Sequence, residues 1–173
     1  MPLEPPIEHS IDEVREALAP LRAQASLAVM TPGNPFAVGA IIRVCHSFLL
    51  QNIILIGTEP YYEKGSMGMH QFENIVTVRD ENEFFAYAGS RPVWALEREQ
   101  ATTSLYNISE FPDDVILCAG SERYGYPPGF LARCSKILAI PLYGINNSLP
   151  LAIAVGITLS QWSRHRYQEG ATF

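Results

Sequence analysis

The sequence predicts an α/β fold, a mostly parallel sheet flanked by helices. Three observations carry this. Short, wholly apolar runs such as Ile53 to Ile56, Val115 to Ala119 and Ile137 to Ile140 read as strands covered on both faces. Segments of helical period separate several of them. The last two runs each end in a loop of small residues, and the second of these loops opens a helix. Ligand sites in such sheets lie at the carboxyl ends of the strands.

Along the chain, Met1 to His9 is proline-rich and acidic and reads as an extended arm. Ser10 and Glu13 have capping-box spacing, and Ile11, Val14, Leu18 and Leu21 recur at helical period until Pro20 ends or kinks the helix. Ser26 to Met30 is the first core strand, Thr31 to Pro35 a turn-rich loop and Ala37 to Leu50 a helix. Ile53 to Ile56 is the next strand, followed by an irregular stretch from Tyr61 to His70 with Gly65 and Gly68. Ile75 to Val78 is a short strand. Asp80 and Glu83 repeat the capping-box spacing before Phe84, Phe85 and Ala88, with Gly89 as C-cap. Pro92 to Leu96 is a strand, and Thr102 to Phe111 is a connection with room for a short one. Val115 to Ala119, a short helix near Pro128 to Arg133, Ile137 to Ile140 and a final helix from Leu149 to Arg166 complete the alternation.

Composition narrows the function classes. With 173 residues, 47% hydrophobic and 17% charged, the chain has the size and makeup of one globular domain. The division expected is an arm and helix over residues 1–25 and one folded domain over 26–173. No signal-peptide plan opens the sequence, and the apolar run Leu149 to Leu159 is too short to span a bilayer. Cys45, Cys118 and Cys134 lack metal-ligand spacing, and an odd count argues against a disulfide framework. The four histidines are scattered, and no metal site is expected. A cytoplasmic protein with free thiols follows. The net charge of −6 opposes broad phosphate binding. Half of that excess lies in residues 1–25, where five acidic residues face Arg15 and Arg22, so the remainder carries −3.

Three motifs carry chemistry. The first is N-P-F-A-V-G-A-I-I-R, residues 34–43, between a strand and a helix. Gly39 permits close backbone approach, and Arg43, one turn later on the same face, offers a rigid donor fork for a phosphate or a ribose hydroxyl. A solvated helix arginine is the plain alternative. The second is G-S-E-R-Y-G, residues 120–125, where Glu122 projects from a glycine-bounded loop as an orienting or hydrogen-bonding carboxylate, or simply as a surface glutamate. The third is I-P-L-Y-G followed by N-N-S-L-P, residues 140–150. Ser148 reads as the N-cap of the final helix, with Pro150 in its first turn.

In this order and spacing, from about Ser26 to Arg166, the motifs resemble those of the SpoU/TrmH family of RNA methyltransferases in the SPOUT superfamily. The stretch S-M-G-M-H-Q-F-E-N, residues 66–74, resembles a subset of such proteins. The resemblance implies a SPOUT fold with a C-terminal trefoil knot, bound S-adenosyl-L-methionine and a homodimer with a shared active site. It implies methylation of a ribose 2′-hydroxyl in tRNA or rRNA, with no DNA or membrane partner. Carried over by position, Arg43 activates the hydroxyl with Glu122, and Asn34 belongs to the same catalytic group. Leu96, Gly120, Ile140, Leu142, Ser148 and Leu149 hold the cofactor. The pattern departs at two positions: Ala37 and Pro150 stand where the family carries asparagine. That departure, with the acidic charge, supports an alternative, a SPOUT-fold RNA-binding or assembly module with weak or no methyltransferase activity. An unrelated α/β nucleotide-binding enzyme would need a phosphate-cradling glycine loop, and neither G-x-G-x-x-G nor a Walker sequence occurs.

Overall fold

Five of the seven strands of the sheet send alternate side chains to two separate cores. The computed structural model describes residues 9–33 and 35–166. Its seven strands are β1 (Ser26–Met30), β2 (Ile53–Ile56), β3 (Ile75–Val78), β4 (Val93–Leu96), β5 (Thr103–Ser104), β6 (Ile116–Ala119) and β7 (Lys136–Ala139). They pair in the order β3-β2-β1-β6-β4-β7-β5, every pair parallel. In β1, Leu27 and Val29 enter one core, while Ala28 and Met30 enter the other. Residues buried on both faces must be apolar throughout, which is why these strands read as unbroken runs.

The described residues form four α-helices, α1 (Ile11–Leu18), α2 (Pro35–Phe48), α3 (Glu81–Ala88) and α4 (Leu151–Arg164), of which α2, α3 and α4 cover the faces. The first core takes Ile41, Ile42 and Cys45 from α2 and Val155, Leu159 and Trp162 from α4. The second takes Phe84 and Ala88 from α3, with Phe130 stacked on Phe84 at 5.8 Å. Cys45 and Cys118 are buried and Cys134 half-buried, all three free. No helix among the described residues is long and apolar enough to cross a membrane.

Strand order places the site. After β1, β2 and β3 step outward in one direction, the chain crosses to β4 and leaves a gap that β6 later fills between β1 and β4. Neighbouring connections diverge there, opening a crevice at the carboxyl ends of the strands.

Several local expectations need correction. The Ser10–Glu13 capping box forms in both arms, but at the second site only Asp80 caps, accepting from the amides of Asn82 and Glu83. The Glu83 carboxylate turns to the backbone N–H and Nε of Arg79 instead. Leu21 lies in the 3₁₀ turn Ala19–Leu21 created by Pro20 and faces solvent. The helix expected near Pro128 is a 3₁₀ turn at Leu131–Arg133. The expected final helix begins two residues late: Pro150, with φ −51° and ψ 135°, is its N-cap, and Ser148 is not. The Ser148 hydroxyl and amide both turn to the Asn146 side chain.

A buried ion cluster fastens the N-terminal segment to the sheet. The fully buried Glu73 carboxylate accepts from both terminal nitrogens of Arg22, at 2.7 and 3.0 Å, and from His46 Nδ1 at 2.7 Å. Burial pushes the Glu73 carboxyl up, but the hydrogen bonds from His46 and Arg22 outweigh it and hold the group below the usual carboxylate range.

Candidate ligand site at the strand ends

The G-S-E-R-Y-G loop closes on itself. The Ser121 amide donates to the Gly125 carbonyl at 2.9 Å, and the Gly125 amide returns a bond to the Ser121 carbonyl at 2.8 Å. Gly125 supplies the left-handed conformation this turn needs, with φ +66°. The Ser121 hydroxyl accepts from the amides of Arg123 and Tyr124 and donates to the Pro32 carbonyl at 2.7 Å. That last bond ties the loop after β6 to the loop after β1.

Glu122 stands at the tip and is exposed. Its carboxylate accepts from the Leu151 backbone N–H at 3.1 Å. A helix N-terminus carries unpaired amides and partial positive charge, so an acceptor there is stabilising. Pro150 brings no side-chain cap, and Glu122 takes that place from 29 residues away.

Tyr126 braces the crevice from below. Its ring stacks on Phe130 at 4.9 Å, and its hydroxyl lies 2.7 Å from the Cys118 carbonyl and 3.2 Å from the Leu96 carbonyl. Burial pushes the Tyr126 phenol far above its usual range, so it stays a donor. The adjacent Gly120 has no spare volume behind it: a Cβ there would lie 3.0 Å from the Tyr126 ring. On the other side, Arg98 donates to the Asn147 carbonyl at 2.9 Å and holds the loop that leads into α4.

These loops enclose a cavity of about 790 Å³, within the range of small-molecule sites. Leu96, Gly120, Ile140, Leu142, Ser148 and Leu149 all line it. They arrive from three strand ends and from the loop before α4. Glu122, Glu97 and Glu99 share the lining with the single cation Arg98, a lining suited to a ligand with an apolar body and a positive group.

Arg43 does not line this cavity. It is exposed on α2 and, among the described residues, its side chain makes no hydrogen bond or ion pair with Glu122 or any other group. The expected Arg43–Glu122 partnership is therefore not formed within one chain. Asn34 lies outside the described residues. Gly39 serves an approach of the chain to itself: a Cβ there would lie 2.5 Å from the Tyr62 carbonyl oxygen and 3.0 Å from the Gly65 Cα. Sequence reasoning missed Tyr126 and Arg98. The first directly follows the second motif, but its carbonyl partners belong to strands that only the fold brings together.

A family model described as the SpoU rRNA Methylase family matches residues 24–160. The chain is 24% identical over 138 residues to the 23S rRNA (guanosine-2′-O-)-methyltransferase RlmB of Coxiella burnetii, covering 77% of this chain and 55% of that one. Its structure resembles an AdoMet-bound rRNA methyltransferase of Sinorhizobium meliloti, with TM-score 0.73, 27% identity and coverage of 83% and 57%. It also resembles the A. aeolicus TrmH/SpoU tRNA modifying enzyme, with TM-score 0.76, 20% identity and coverage of 90% and 82%, a likeness of fold. The chain spans little more than half the length of the first two.

Proposed function

Because the chain belongs to the SpoU rRNA Methylase family, we propose that it transfers a methyl group from S-adenosyl-L-methionine to a ribose 2′-hydroxyl of tRNA or rRNA. The observation that carries this is the convergence of Leu96, Gly120, Ile140, Leu142, Ser148 and Leu149 on one cavity. The cavity fits the cofactor in size, in its apolar floor and in the excess of carboxylates at its edge. S-adenosylmethionine, when bound, supplies a methyl group on an electrophilic sulfonium.

The chain supplies placement. In-line displacement at a methyl carbon needs the incoming oxygen held behind it, and such orientation contributes much of the rate. Leu96, Ile140, Leu142 and Leu149 would hold the cofactor's apolar surfaces, with Gly120 and Ser148 giving backbone groups. Arg43 would orient the 2′-hydroxyl and stabilise negative charge on its oxygen, the hydroxyl proton passing to solvent water while the S–methyl bond breaks and S-adenosylhomocysteine is left. Asn34 would join it on the substrate side. Glu122 acts as a positioning residue at that end, through the first amide of α4.

We assign residues 26–173 to the methyltransferase domain, with residues 1–25 as an arm and helix fastened to it. We also assign a trefoil knot to the loops after β6 and β7, on the strength of the family membership. A homodimer accounts for Tyr143 and Ile145, which are 94% and 101% exposed beside the cavity, and for an Arg43 that stands off it. We further propose that the chain works in the cytoplasm, where tRNA and rRNA are substrates. Ala37 and Pro150 favour a second reading, an RNA-binding module with weak or no transfer.

Calorimetry with S-adenosylmethionine and transfer of labelled methyl to total RNA test these readings. Binding and transfer are expected, with transfer reduced about 10²–10⁴-fold in Arg43→Ala and cofactor affinity unchanged. Transfer that survives Arg43→Ala refutes the assigned role. Cofactor binding without transfer to any RNA selects the second reading, and absence of binding by folded protein refutes the methyltransferase reading.

A further inference from the structure

Two aromatic rings stand in solvent at the start of α2. Phe36 is 68% exposed and Tyr62 45% exposed, with ring centroids 5.2 Å apart and planes tilted by 54°. The backbone holds the pair in place. The Tyr62 amide donates to the Pro35 carbonyl at 3.0 Å, and the Gly65 amide donates to the Tyr62 carbonyl at 2.9 Å. The Gly39–Gly65 approach locks this turn onto α2. The backbone that carries the rings is thus preset, so covering them costs little backbone ordering.

The surroundings say what that is. Phe36 and Arg43 are seven residues apart on α2 and share its exposed face. Lys64 follows Tyr62 by two residues and is exposed. Neither cation has a side-chain partner among the described residues. Across the loop after β1, Tyr124 is 63% exposed and lies over Gly33, with the Arg123 guanidinium 5.4 Å from its ring centroid. Two acids share this region: Glu59 accepts from the Gly33 amide, and Glu63 lies 3.9 Å from His70.

We propose that Phe36 and Tyr62 form a stacking platform for an unpaired RNA base, next to the ribose that Arg43 addresses. This rests on the 2′-O-methyltransferase reading above. Proteins that recognise unpaired RNA stack bases on aromatic rings, and every base offers a flat face. A chain of net charge −6 gains little from broad phosphate contact, so stacking must carry much of the local affinity. A nucleotide brings a base for the rings and a phosphate for the cations.

The test measures binding of labelled total tRNA, and of an unstructured RNA oligonucleotide, by the full chain at about 50 and 200 mM salt. Phe36→Ala and Tyr62→Ala are each expected to weaken binding about five- to hundredfold, by the same factor at both salts, since stacking carries no counterion release. Phe36→Trp should retain affinity, and calorimetric affinity for S-adenosylmethionine should be unchanged in all three. Unaltered RNA affinity in both alanine variants overturns the platform, as does a loss confined to low salt. Conversion of a dimer to a monomer by Phe36→Ala in sedimentation assigns the rings to a copy–copy contact and also overturns it. A wild-type chain that binds the cofactor but neither RNA refutes the RNA reading itself, a result distinct from failure of the platform alone.

Discussion

The Glu122 carboxylate accepts from the Leu151 backbone N–H at 3.1 Å, so a loop after one strand caps the helix that follows another. Glu122→Ala should remove the cap and cost about 1 kcal/mol in denaturant unfolding. It should also weaken S-adenosylmethionine binding, because Glu122 and Leu151 both line the cavity. Glu122→Gln keeps a neutral acceptor and should recover most of the stability. Equal stability of wild type and Glu122→Ala would mean that the bond contributes nothing.

Gly39→Ala reverses the usual sign of a helix substitution. Alanine inside a helix normally stabilises by about 0.8–1 kcal/mol relative to glycine. Here its Cβ would lie 2.5 Å from the Tyr62 carbonyl oxygen, a backbone atom that cannot rotate away. A loss of about 1–3 kcal/mol is expected. Gly65→Ala, whose Cβ would meet nothing closer than 3.4 Å, should cost much less. Comparing the two denaturant midpoints checks this, and a stabilised Gly39→Ala would refute the close approach.

Gly120→Ala tests the cavity floor. The added methyl would press on the Tyr126 ring at 3.0 Å and the Gly125 carbonyl carbon at 3.2 Å. The phenol is held by the Cys118 and Leu96 carbonyls, so the ring cannot retreat freely. A destabilisation of about 1–3 kcal/mol is expected, together with weaker cofactor binding by calorimetry. Unchanged affinity would place the cofactor away from Gly120.

The Glu73 cluster makes stability depend on acid pH. Its carboxyl is held below the unfolded value, so its contribution is full above the ordinary carboxylate pKa of about 4.3. That contribution is lost as pH falls through the lower folded value. Glu73→Gln should flatten this part of the stability profile. At neutral pH it should cost about 3 kcal/mol or more, because it leaves the Arg22 charge buried without its partner. Urea midpoints measured across pH 3–7, as an approximate range, decide it; identical slopes for both proteins would refute the assignment.

Much of the molecule was legible in the chain. The strand runs from Ser26, Ile53 and Ile75 were read at their observed bounds, because each is a short run dominated by apolar, mostly β-branched or aliphatic residues between turn-forming segments. The six positions expected to hold a cofactor line one cavity because each belongs to a strand end or to the loop leaving it, and all strands run parallel. The start of α4 was misplaced because Ser148 has the right chemistry for an N-cap, while the helix takes its cap from a distant loop.

By itself the sequence determined local period and chain punctuation. These depend only on neighbours within a few residues. Only the tertiary structure decided that β6 lies between β1 and β4, that Glu122 meets Leu151, that Gly39 meets Gly65 and that Arg43 stands apart from the cavity. Each of those facts joins residues far apart in the chain. Such contacts follow from which faces pack together, and periodicity shows that a face is apolar without showing what covers it.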